Sequence, residues 1–92
     1  MNSPKEMQIA QLLADTQNAH HHYQETQLNG EYNLKWADWF ADYLIDHGLG
    51  NLLGREVAPE MLAQKLNELD RRQRAEAPEE DWPIFYARHM IA

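Results

Sequence analysis

The chain has 92 residues, 43% of them hydrophobic and 25% charged, with no cysteine and a net charge of −7. That is the length of one small domain, read as a single helical unit over residues 1–92, and the composition is globular rather than disordered. Without cysteine there are no disulfides or thiolate metal sites. Without an apolar run of 18 residues there is no membrane span, and the acidic balance argues against a nucleic-acid partner.

The start, MNSPKEMQIAQLLADTQ, has no long apolar run and carries Glu6 and Asp15. It reads as neither a signal nor a transit peptide, and the expected location is cytoplasmic. The first helix is predicted over about residues 4–28. Ser3, Pro4 and Glu6 make a capping-box start, and Gly30 is the terminator. Its apolar stripe is Ile9, Leu12, Leu13, Thr16, Ala19, His20 and Tyr23.

A second helix is predicted over about 34–47, capped by Asn33, with Trp36, Trp39, Phe40, Tyr43, Leu44 and His47 as its stripe. Gly48 stops it, and LGNLLG makes about one turn that plugs Leu49, Leu52 and Leu53 into the core. A third helix is predicted over about 59–75. Pro59 opens it behind Ala58, a weak cap, and its stripe is Met61, Leu62, Lys65, Leu66 and Leu69. A fourth begins near Asp81, tolerates Pro83 in its first turn, and carries Trp82, Phe85, Tyr86, His89 and Met90. RRQR, Arg71 to Arg74, reads as cations on the last turn of the third helix, where they suit the dipole.

Two stretches nearly repeat. WADWFADYLI at 36–45 returns as WPIFYARHMI at 82–91, pairing Trp36 with Trp82, Phe40 with Tyr86, Ala41 with Ala87 and Ile45 with Ile91. The expected fold is therefore all-α, with four main helices as two tandem hairpins related by a pseudo-two-fold axis. The aromatic helices are expected to pack centrally, while the longer helices do not align residue by residue.

The segments AHHHYQE, NGEYNLKWADWFADYL and DWPIFYARHM resemble a small bacterial all-helical family. It has an H-H-x-Y-x-E-like segment and two Trp-x-x-aromatic-aromatic-Ala helices. The resemblance covers residues 19 to 91 and implies the helical fold, with no activity attached. Lys35 stands where that pattern has an acid, so no role of the acid carries over.

HHHYQE, residues 20 to 25, turns the first stripe polar where it should enter the core. Such a turn marks a hydrogen-bonded network or a pocket wall. The candidate ligand-binding residues are His20, His21, Tyr23, Glu25, Trp36 and His47. His21 and Glu25, at i and i+4, are the candidate ligands for a divalent transition metal, with His47, His89 or Asp46 to complete the set. No cofactor is predicted beyond such a metal. Asp38, Asp42 and Asp46 form an acidic row on the second helix, read first as a solvated face; in the alternative Arg71, Arg72, Arg74 or Arg88 compensates, Arg88 being the repeat equivalent of Asp42. Seven aromatics on the two short helices are read chiefly as core, with a surplus for an interface. The leading expectation is a non-catalytic interaction module, self-associating as a homodimer or binding a protein partner. The alternative is a ligand or metal site, and with it an enzyme, at the His-rich end of the first helix.

Overall fold

The computed structural model describes residues 4–31 and 33–91. The predicted cap Ser3 lies outside them. Among the described residues there are five helices and no strand: α1 Pro4–Gln27, α2 Trp36–Asp46, α3 Leu49–Leu53, α4 Pro59–Glu76 and α5 Trp82–Ile91.

Local chemistry explains the boundaries. α1 ends because Asn29 (φ 54°) and Gly30 (φ 79°) are both left-handed. Their turn lets the N–H groups of Leu28 and Gly30 donate to the Gln24 carbonyl at 3.1 and 2.8 Å. The predicted cap does not form: the N-cap of α2 is Lys35, without a side-chain cap bond, and Asn33 stands two residues before it. The Asn33 Oδ1 accepts the Lys35 N–H at 3.0 Å, so the helix begins only at Trp36. α3 is a single turn held between two left-handed glycines, Gly48 (φ 99°) and Gly54 (φ 74°). α4 starts at Pro59 behind an uncapped Ala58, as its sequence implies.

The most extensive packing is α1 on α5 and α2 on α4; neighbours within a hairpin touch less. The two hairpins are therefore interleaved, each long helix lying on the other hairpin's short one. Exchanging α1 with α4 and α2 with α5 maps these two packings onto each other, as a pseudo-two-fold requires. The aromatic helices do not pack centrally on one another as expected. Among the described residues α2 and α5 meet by rings, Phe40 to Trp82 at 6.2 Å, while Ala41 and Ala87 are fully buried.

The hydrogen bonds show that the long helices do align, at an offset of 49 residues rather than 46. Leu28 N–H to Gln24 O recurs as Ala77 to Gln73, and Glu31 N–H to Leu28 O as Glu80 to Ala77. The Gln24 side chain donates to the Glu31 carbonyl (3.2 Å), and Gln73 does the same to Glu80 (3.1 Å). From α2 onward the offset is 46: Trp39 N–H to Lys35 O matches Phe85 to Asp81, both 3.1 Å. Residues 32–34 are thus a three-residue insertion in the first hairpin. In this alignment Leu13 matches Leu62 and His20 matches Leu69, all buried.

The core holds Ile9, Leu13, Leu44, Leu49, Leu66 and Leu69 at zero exposure, each worth roughly 1.5–3 kcal/mol of transfer energy. Three stripe assignments shift. On α2 the buried face is Ala37, Phe40, Ala41 and Leu44; Trp36, Trp39 and Tyr43 are half-buried and His47 is exposed. On α4 Ala63 is buried, while Met61 is 71% exposed. On α5 Trp82 and His89 are half-buried. On α2 and α5 small alanines share the buried faces with Phe40, Phe85 and Tyr86, and let the helices approach closely.

Candidate functional site

The polar turn of the α1 stripe is a hydrogen-bonded pair. His20 is 8% exposed, and its Nε2 lies 3.0 Å from Asn33 Nδ2. The Asn33 amide cannot be reversed, because its oxygen holds the Lys35 N–H. Its nitrogen therefore donates to His20 Nε2, which must be an acceptor. His20 is neutral, with its proton on Nδ1. Burial also lowers its pKa below the ordinary 6.5. The imidazole packs edge-on against Trp39 and Phe40, at 5.0 and 5.3 Å.

Beside His20 opens a cleft of about 430 Å³, between the C-terminal ends of α1 and α4 and the start of α2 and α5. Its buried residues are His20, Phe40 and Tyr86; Trp36 and Trp82 are half-buried; His21 and Arg74 are exposed. Four repeat-related pairs line it: Trp36 with Trp82, Phe40 with Tyr86, Gln24 with Gln73, and His21 with Asp70. The cleft therefore lies on the pseudo-two-fold axis. Arg74 Nε donates to Asp70 Oδ1 at 3.1 Å, and burial beside the Asp70 charge raises the Tyr86 phenol, keeping it neutral.

The structure divides the predicted site residues. His20, His21 and Trp36 line the cleft. Glu25 lies on the exposed side of α1, 3.8 Å from His21, with both side chains largely in solvent. Among the described residues no three of His, Asp and Glu come together as a metal-ligand set. His47 is exposed, with Nδ1 2.8 Å from the Tyr43 carbonyl, and His89 lines a separate groove with Met61 and Met90. Asp46 is exposed at the end of α2, so the third ligand expected from these residues is not supplied.

Tyr23 and His47 instead join a ladder of rings along the flank of α2. Tyr23 contacts Trp39 at 5.4 Å, Trp39 stacks on Tyr43 at 5.4 Å and 15°, and Tyr43 stacks on His47 at 3.8 Å and 14°. Asp38, Asp42 and Asp46, all exposed, occupy the adjacent stripe of the helix. They form the solvated face expected first, and the alternative Arg88–Asp42 pair does not form. Arg88 makes a bidentate pair with Glu80, just before α5, because that carboxylate is reached within its own hairpin. Arg72 is held by Glu68 and Glu76, and Arg74 by Asp70. The acid row thus faces solvent without any of these cations.

Asp70, Gln73, Arg74, Trp82 and Tyr86 were not foreseen at the site. The only available signal was the 49-residue alignment, which the insertion at 32–34 conceals. The chain matches no protein-family model, and no curated protein and no solved structure is significantly similar to it.

Proposed function

We propose that this protein is a small non-catalytic interaction module that binds a basic segment of another protein, working in the cytoplasm. The observation that carries this reading is the ring ladder Tyr23–Trp39–Tyr43–His47 beside Asp38, Asp42 and Asp46. The ladder rings are half-buried or exposed, and among the described residues no cation pairs with the adjacent carboxylates, so the stem of a Lys or Arg side chain can lie along the ring edges while its charge meets the acid row. A homodimer built on this face would oppose two acid rows, so a basic partner fits it better than a second copy. The test is titration of a short Arg/Lys-rich peptide against the protein, with Tyr43→Ala and Asp42→Asn variants. Binding should weaken about tenfold in each variant and decline with added salt. Equal binding by the variants would sink the reading, and sedimentation across a wide concentration range would reveal self-association.

A second reading is favoured by the axial cleft: a small-ligand site that includes His20, His21 and Trp36. Its support is the convergence of both hairpins on one aromatic-lined volume within the range of small-ligand pockets. A catalytic role has less support. His20, the buried imidazole of the cleft, already spends its Nε2 lone pair on Asn33, which leaves it a poor general base.

A further inference from the structure

We infer that the axial cleft takes a small zwitterion whose quaternary ammonium group sits among Trp36, Phe40, Trp82 and Tyr86 and whose carboxylate meets Arg74. The inference rests on the reading of the cleft as a ligand site and names the ligand's chemistry. Three observations carry it.

The first is ring geometry. Trp36 meets Phe40 at 5.4 Å and 90°, Phe40 meets Trp82 at 6.2 Å and 56°, and Trp82 meets Tyr86 at 5.0 Å and 68°. Rings at such steep mutual angles around one cleft suit a rounded cation that touches several of them. A flat ligand would call for parallel plates, and the near-parallel rings of this molecule are in the ladder, outside the cleft. The second is openness between the walls. Among the described residues no ring contact joins Trp36 to Trp82; each instead touches Phe40, and both remain half-buried. The third is charge. Arg74 is 74% exposed at the rim, and Asp70 engages it through Nε, leaving the two terminal nitrogens of the fork to bind a carboxylate. The paired Asp70 and Arg74 put both signs of charge at the rim, which suits a ligand that itself carries both. A quaternary ammonium suits an aromatic box because it offers charge without N–H groups that would need hydrogen-bond acceptors.

The experiment follows the three indole N–H signals by NMR while glycine betaine, tetramethylammonium and 3,3-dimethylbutanoate are added in turn. The last is the carbon isostere of glycine betaine and lacks its positive charge. Glycine betaine should shift the Trp36 and Trp82 signals saturably, with Trp39 less affected. The isostere should bind about tenfold more weakly, the loss of one cation–π site. Arg74→Gln, an exposed change that leaves the fold intact, should weaken glycine betaine about tenfold and leave tetramethylammonium equal or tighter. If the isostere binds as well as glycine betaine, or if only a flat aromatic such as indole-3-acetate saturates the same two signals, the zwitterion is wrong and the ligand site stands. If none of these compounds moves Trp36 or Trp82, both the ligand class and the site reading fall.

Discussion

His20 occupies the position that Leu69 fills in the second hairpin, and its polarity has a defined cost. Its neutral state is enforced twice, by burial and by the amide of Asn33. Protonation would set two donors against each other. Because the folded pKa lies below the ordinary 6.5, the unfolded chain takes up the proton first on acidification. The His20 contribution is therefore fully present above pH 6.5 and is lost as pH falls below it. His89 is lowered for the same first reason, burial, reinforced by Arg72 and Arg88, and acts with the same sign. Thermal melts from pH 8 to pH 5 should show wild type losing stability. His20→Leu should lose less, keeping only the His89 share. At pH 8 the variant should lie within about 1 kcal/mol of wild type, since the half-buried Asn33 can turn to water. A variant as acid-sensitive as wild type would exclude His20 as the source.

The two hairpins use one device at the element scale. A glutamine near the end of each long helix folds over and holds the carbonyl seven residues on. Gln73 also donates to the Ala77 carbonyl at 2.9 Å and is half-buried, whereas the Gln24 bond is exposed. Gln73→Ala should therefore cost about 1–2 kcal/mol and Gln24→Ala about half that or less, read from denaturant midpoints at constant slope. The insertion at 32–34 is tied to His20, because Asn33 within it supplies the histidine's partner and also holds the Lys35 N–H just before α2. Deleting residues 32–34 should destabilise wild type more than the His20→Leu protein, where the deletion strands no buried imidazole. A double-mutant cycle should return a coupling of about 1 kcal/mol. Additive effects would separate the insertion from the histidine.

For the whole molecule the packing is reciprocal: α1 rests on α5 and α2 on α4. Each hairpin alone exposes the faces that the other covers. Short helices without tertiary partners are marginal in water, so residues 1–55 and 56–92 should each show little helix by circular dichroism. Mixing them should restore it, with a midpoint that depends on concentration. A well-folded isolated half would contradict the interleaved core. Within that core Leu66, at zero exposure between the halves, should cost about 2–5 kcal/mol on change to Ala. Met61→Ala, on the exposed side of the same helix, should stay within about 0.5 kcal/mol.

The sequence by itself determined the helices, their breaks and the aromatic repeat. These depend on local chemistry: proline and glycine at the joints, and apolar residues at helical spacing. It placed His20, His21 and Trp36 in one candidate set, because a polar interruption of a buried stripe is visible in one dimension. Only the tertiary structure decided that Tyr23 and His47 belong to a flank ladder and Glu25 to the exposed side of α1. A stripe wider than the contact face cannot say which of its edges turns inward. Only the tertiary structure brought Asp70, Arg74, Trp82 and Tyr86 to His20. Those contacts cross between hairpins, and their register depends on a three-residue insertion that sequence periodicity does not record. The pairing of Arg88 with Glu80 was likewise a matter of reach in space: charge alone offered many partners, and geometry selected one.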